Sequence, residues 1–192
     1  MPQRLPQPWR LFLAIHPPSD VAAQMCGVND LIDPCFGCRP TPVEQVHLTL
    51  QFIGDTPQSR METVIESIAR AASGIGPVHL QPQRLRILPD RGPARVLAIE
   101  ANQTPALLEL KRRLASRLAQ RRQKHRDAAS AFLPHFTIAR FKPPSSEINR
   151  EQIDAITINA ELAFTANAIT LMRSTLKPGG SEHASVQTFT RA

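Results

Sequence analysis

Two segments far apart in the chain, VHLTLQFIGD (46–55) and PHFTIARFKP (134–143), alternate apolar and polar residues and share one pattern, His-apolar-Thr-apolar. Successive side chains on a strand point to opposite faces, so residues two apart share a face. In 47–50, His47 and Thr49 therefore face one way and Leu48 and Leu50 the other. In 135–138, His135 and Thr137 stand against Phe136 and Ile138. Each segment reads as a half-buried strand that exposes one imidazole beside one hydroxyl.

The flanks repeat as well. RLFLAIHPPSDVAAQM (10–25) and ARVLAIEANQTPALLEL (94–110) each give a basic residue, an apolar strand ending in Ala-Ile, a turn with proline and then a helix. Internal self-similarity points to a repeated unit. Two copies would build similar lobes that face each other across a pseudo-twofold axis, each lending one His-Thr strand. The duplication predicts a single bilobal domain over 1–192, with the cleft between its two lobes.

Local patterns fill in the elements. Arg10–Ile15 predicts a strand, and Ser19 an N-cap for a helix to about Met25. Residues 27–42, rich in Gly, Pro, Asp and Cys, predict a loop. Met61, Val64, Ile65, Ile68, Ala69 and Ala72 form a helical stripe closed by Gly74 and Gly76. Strands follow near 78–80, 85–88 and 95–100. A long helix over about 104–123 carries Leu107, Leu110, Leu114 and Leu118 on one side. KPPSSEINR (142–150) predicts a loop, and the C-terminal part predicts strands near 162–165, 168–175 and 185–190, the last two joined by the turn KPGGSE.

Composition narrows the function classes. No apolar run approaches the roughly 20 residues of a spanning helix, and the N-terminus lacks the apolar segment and cleavage site of a signal peptide. A cytoplasmic, monomeric protein is the expectation. Cys26, Cys35 and Cys38 include a CFGC spacing that is half a zinc site, but a fourth ligand is missing, so the reading is of ordinary loop thiols and no metal. The net charge of +7 is uneven: Lys111, Arg112, Arg113, Arg117, Arg121, Arg122, Lys124 and Arg126 fall in one run. Such a field would draw polyanions, a nucleotide or RNA among them, although a solvated helix face reads the same way.

Two imidazoles and two hydroxyls in one cleft suit chemistry on a phosphodiester. The phosphorus centre needs a base on the attacking oxygen and an acid on the departing one. Histidine titrates near neutrality and can fill either role. Threonine hydroxyls can donate to the non-bridging oxygens, where negative charge sits.

With these motifs the chain resembles the 2H phosphoesterases, and within them the RNA 2′,3′-cyclic phosphodiesterases, also called 2′-5′ RNA ligases. The resemblance spans RLFLAIHPP, VHLTLQFIGD, ARVLAIE, LPHFTIARF and LMRSTLKPGG. It implies a bilobal α+β fold, with two antiparallel sheets lining a central cleft and helices outside. It also implies hydrolysis of an RNA 2′,3′-cyclic phosphate to a 2′-phosphate with no metal or other cofactor, and the reverse 2′-5′ ligation. It further implies His47 as proton donor, His135 as proton acceptor, and Thr49 and Thr137 as contacts to phosphate oxygens. Phe52 and Arg140, five residues after each histidine, would lie near the nucleotide, although a regular strand turns them away and a core Phe and solvated Arg are equal readings. The chain departs from the family where His183 replaces an aromatic residue after the glycines. His16, His79, His125 and His183 lack a paired threonine and read as surface or incidental residues. Alternatives on the same fold are a phosphodiesterase for 2′-5′ oligoadenylate or a small cyclic nucleotide phosphate; an alternative of another class is a non-catalytic RNA-end-binding protein.

Overall fold

The structure is a computed structural model and describes residues 7–28, 38–118, 132–145, 148–158, 160–178 and 180–190. In chain order the elements are β1 (Trp9–Ile15), α1 (Ser19–Gly27), β2 (Cys38–Pro40), β3 (Leu48–Thr56), α2 (Met61–Ala72), β4 (Val78–Leu80), β5 (Pro82–Leu88), β6 (Ala94–Ala101), α3 (Pro105–Leu118), β7 (His135–Ser145), α4 (Arg150–Asp154), β8 (Phe164–Ala166), β9 (Ala168–Lys177) and β10 (Gly180–Thr190). Among the described residues, eight strands form one antiparallel sheet in the order β10-β9-β1-β3-β7-β6-β5, with β2 added on β7. β4 and β8 form a separate two-stranded sheet.

The sheet is two antiparallel halves, β10-β9-β1-β3 and β7-β6-β5, joined edge to edge. At the seam β3 and β7 share one register pair, Leu48 with Phe136. That pair falls inside both His-Thr motifs, so the seam brings the two motifs side by side. The halves are built alike. Ala14 and Ile15 of β1 face Thr49 and Leu48, and Ala98 and Ile99 of β6 face Thr137 and Phe136. The repeated Leu-Ala-Ile thus backs each motif in the same register.

Among the described residues, the helices cover one face of the sheet. Leu11, Leu13 and Ile15 of β1, Leu97 and Ile99 of β6, and Phe136 and Ile138 of β7 pack with Met25 of α1, Ile68 of α2 and the stripe of α3 in a single core. Leu107, Leu110 and Leu114 are fully buried, and each contributes about 1.5–3 kcal/mol of transfer free energy. Phe12, Ala14 and Met172 form a small separate cluster on the other face of the sheet. That face is left open to hold a site.

Several local expectations change. Pro18, not Ser19, precedes the first helical residue of α1, and no side chain caps that helix. In α2, Ala71 takes the buried place expected of Ala69, which is exposed. The predicted 27–42 loop contains β2, which pairs with β7. KPPSSEINR is not all loop. β7 runs on to Ser145, and α4 begins at Arg150 with the Asn149 side chain accepting from the Gln152 amide. Pro143 and Pro144 are tolerated because the β6–β7 register is irregular there, jumping from Val96–Arg140 to Ala94–Ser145, so no regular ladder needs their missing N–H groups. The predicted strand at 162–165 is a 3-10 turn at Ala160–Leu162 followed by β8. β10 begins five residues earlier than predicted. The predicted 104–123 helix is seen as α3 to Leu118; the remainder lies outside the described residues. No helix among the described residues is long and apolar enough to cross a membrane.

Candidate active site

The two motif strands carry the same irregularity at the same place. Along β1, Leu13 and Ala14 are consecutive, yet their partners on β3 are Gln51 and Thr49, so Leu50 is skipped. Along β6, Leu97 and Ala98 pair with Ala139 and Thr137, so Ile138 is skipped. Each is a β-bulge, where one extra residue reverses the facing of the residues that follow, up to a second shift at Ile53 in β3 and one after Arg140 in β7. Leu50 and Gln51 are both buried, as are Ile138 and Ala139. Beyond the bulge, Phe52 and Arg140 emerge on the open face with the histidines and threonines. Phe52 is 52% exposed.

The histidines are tethered alike. His47 precedes the first residue of β3, and its Nδ1–H donates to the carbonyl of Gln45 at 2.6 Å. His135 opens β7, and its Nδ1–H donates to the carbonyl of Leu133 at 2.8 Å. A carbonyl can only accept, so the proton sits on Nδ1 and each neutral ring has a bare Nε2.

All six residues expected from the sequence, His47, Thr49, Phe52, His135, Thr137 and Arg140, line one cavity of about 890 Å³ on the open face. Arg10, Arg39, Lys177 and His183 line it too. Thr49 and Thr137 are half-buried. Arg140 has no ion-pair partner among the described residues. The arrangement offers two imidazole nitrogens, two hydroxyls and an excess of cationic groups, which suits an anion that needs proton transfer.

A model of the 2′-5′ RNA ligase superfamily matches residues 17–178. This chain belongs to the 2′-5′ RNA ligase superfamily. Among its relatives, a Thermus thermophilus protein named RNA 2′,3′-cyclic phosphodiesterase is 27% identical over 183 residues, covering 94% of this chain and 89% of that one. An Aquifex aeolicus protein of the same name is 26% identical over 146 residues, covering 76% and 78%. A crystal structure of a Thermus thermophilus protein matches with a TM-score of 0.79 at 26% identity, over 94% of this chain and 97% of that one. LigT of E. coli complexed with 3′-AMP shares the fold, with a TM-score of 0.74 at 21% identity over 96% and 98%.

In this 2′-5′ RNA ligase superfamily member, the electrostatics of the two halves differ where their sequences do. Glu100 pairs in register with His135. The corresponding residue after Leu-Ala-Ile in the first half is His16, whose ring centroid lies 5.8 Å from that of His47. Burial pushes the His47 imidazole down to about 4; its Gln45 bond opposes this, and His183, His16 and Arg140 add to it. His135 is also held below its ordinary value by burial, then by Arg140, but its Leu133 bond and Glu100 pull it back up. With these neighbours both rings are neutral at pH 7, and His47 is the harder to protonate.

The remaining sequence candidates sort by face. Two histidines read as incidental are in the cluster: His16 beside His47, and His183 with its ring 5.4 Å from His47 and 5.0 Å from Phe12. The usable signal was position. His16 directly follows the first Leu-Ala-Ile, and His183 directly follows the hairpin turn. His79 is exposed and bonded to Thr165, as expected of a surface residue. His125 lies outside the described residues. Of the basic run, Lys111 bonds Gln51 on the helix-covered face, and Arg112 and Arg113 pair with Glu109. None of its described members lines the cavity, and 119–126 lie outside the described residues. Cys26 and Cys38 are free thiols, and Cys35 lies outside the described residues. Among the described residues no group of three or more His, Cys, Asp or Glu is placed to hold a metal ion.

Proposed function

We propose that this chain opens RNA 2′,3′-cyclic phosphate ends to 2′-phosphates by acid–base catalysis between His47 and His135, with no metal. The observation that carries the reading is the matched tethering of the two rings, each Nδ1–H held by a carbonyl two residues back and each Nε2 left for the cavity. His135 Nε2 takes a proton from water as its oxygen bonds to phosphorus. Protonated His47 gives its proton to the 3′-oxygen as the bond from phosphorus to that oxygen breaks. The threonine hydroxyls of Thr49 and Thr137 donate to the non-bridging oxygens, where they hold the charge of the transition state. With a 5′-hydroxyl in place of water, the same steps would form a 2′-5′ linkage.

The electrostatics set a condition on this division of labour. His135 has Glu100 as a neighbouring negative charge, whereas the groups acting on His47 are Arg140 and two imidazoles, His16 and His183, with no carboxylate among them. An arriving phosphodiester supplies the missing countercharge and lifts His47 toward the range in which it can donate. The relatives named RNA 2′,3′-cyclic phosphodiesterase support the choice of substrate. The matched register of Leu-Ala-Ile against the two motifs supports one duplicated domain, in which each half lends one half of the catalytic pair.

The test is incubation of the protein in excess EDTA with an oligonucleotide ending in a 2′,3′-cyclic phosphate. A 2′-phosphate product is expected. A panel with 2′-5′ oligoadenylate and ADP-ribose 1″,2″-cyclic phosphate separates the substrate classes. Tight binding with no product would favour a non-catalytic end-binder, and loss of activity on chelation with return on adding a metal would contradict the mechanism.

A further inference from the structure

His183 enters the cleft from an element that the duplicated motifs do not include. It lies on β10 opposite Ser174 of β9, just past a hairpin turn spanned by the Lys177–Glu182 ion pair at 2.7 Å. Its ring stands edge-on to Phe12 and to His47, at interplanar angles of 76° and 89°. Two packed rings leave it little rotational freedom.

Its two nitrogens are in different situations. Nδ1 is buried and has no hydrogen-bond partner. Nε2 has no such burial and no partner among the described residues, and the residue lines the cavity. A proton on Nδ1 would be a buried N–H without an acceptor, which folded proteins tolerate less than an unused acceptor. The neutral ring therefore carries its proton on Nε2, the reverse of His47 and His135. Double protonation would recreate the orphaned Nδ1–H. It is opposed further by burial and by the charges around the ring: Arg140 from β7 and His16 from the end of β1, with His47 and Arg10 also in the cleft.

We propose that His183 is a neutral hydrogen-bond donor that offers Nε2–H to a phosphate oxygen of the ligand beside His47. Glu182, the carboxylate next to it in the lining, is tied to Lys177, and no acceptor among the described residues reaches Nε2, so the acceptor that the donor lacks is left to the ligand. The cleft then has two rings that accept through Nε2 and one that donates through it. The proposal deepens the phosphodiester reading and rests on it, but the tautomer itself can be read without turnover.

Ring-nitrogen NMR of the full chain tests the tautomer directly. His183 is expected to show a protonated Nε2 and a bare Nδ1, with His47 and His135 showing the reverse; a protonated Nδ1 on His183 would overturn the assignment. Titration with inorganic phosphate tests the role. His183→Phe keeps a ring against Phe12 without a donor and should weaken phosphate binding on the order of tenfold, the usual worth of a hydrogen bond to a charged group. His183→Gln restores an N–H near the Nε2 position and should bind within about threefold of wild type by the same reasoning. Wild-type affinity in the Phe variant, or a Gln variant as weak as Phe, would overturn the role of His183 alone. Failure of the wild-type protein to bind phosphate would overturn the cleft reading as well. If the Phe variant does not fold, the Gln variant and the wild-type spectrum decide.

Discussion

Leu50 and Ile138 hold the same place in their strands: each is the third residue after a site histidine, and each is passed over by the strand beside it. That shared bulge puts Phe52 and Arg140 on the open face. Without it, an aromatic ring and a guanidinium five residues beyond the histidines would point into the helical side of the sheet.

Arg140 should therefore act on the ligand. Arg140→Ala is expected to raise KM by about 10- to 100-fold with a smaller effect on kcat, since it removes a charged hydrogen-bond donor. The same change removes a positive charge that holds His47, His135 and His183 down. The acidic limb of the kcat/KM profile should then move to higher pH. Steady-state kinetics from pH 4 to 9 checks both effects, and an unchanged KM would count against contact with the ligand.

Phe52 should serve the base and not the phosphate. Phe52→Ala is expected to weaken binding of a cyclic-phosphate oligonucleotide by about 5- to 100-fold, the range for loss of one stacking partner. Binding of inorganic phosphate should be unchanged. Equal losses for both ligands would mean that the ring shapes the pocket instead of stacking.

The carboxylate opposite His135 gives a shift of opposite sign to that of Arg140. Glu100 raises the His135 imidazole and is itself bonded to Arg84 and Arg86. Glu100→Gln removes the negative charge and leaves Arg84 without its carboxylate, while Arg86 keeps Asp90, so His135 is lowered further. Because His135 must be deprotonated to accept, the acidic limb of kcat/KM should move to lower pH. A shift upward, or none, would contradict the assignment of His135 as the acceptor affected by Glu100.

Stability should also report the half-buried His47. Its folded value of about 4 lies below the ordinary 6.5. Above pH 6.5 the ring is neutral whether the chain is folded or not, and the folded state loses nothing. As pH falls from 6.5 toward 4, the unfolded chain binds a proton that the folded site refuses, so stability declines. The gap amounts to ~3 kcal/mol. Urea unfolding at several pH values should show this decline in the wild type, and His47→Gln should flatten it by about that amount.

The sequence carried the motif strands and their backing because both are local statements of period two. His47, Thr49, His135 and Thr137 share a face as the alternation requires, and Leu13–Ile15 and Leu97–Ile99 lie in matching register behind them. The bulges were not legible, since a skipped residue is a property of two strands in register and not of one strand's pattern. Phe52 and Arg140 were for that reason undecided from sequence. His183 was missed on different grounds: no motif marks it, and its meeting with His47 depends on how the β9–β10 hairpin lies against β1. The start of α4 has a local signal, since Asn149 with Gln152 three residues on is a capping pair, but it lies in a stretch whose prolines suggest loop.

The most direct measurement of the central claim is the rate of 2′,3′-cyclic phosphate opening by His47→Ala, His135→Ala and the double variant. Each single change removes a proton-transfer partner and should lower kcat by about 10²–10⁴-fold, and the double variant should be little worse than either, because the two rings act as one unit. Wild-type turnover in either single variant would contradict the account.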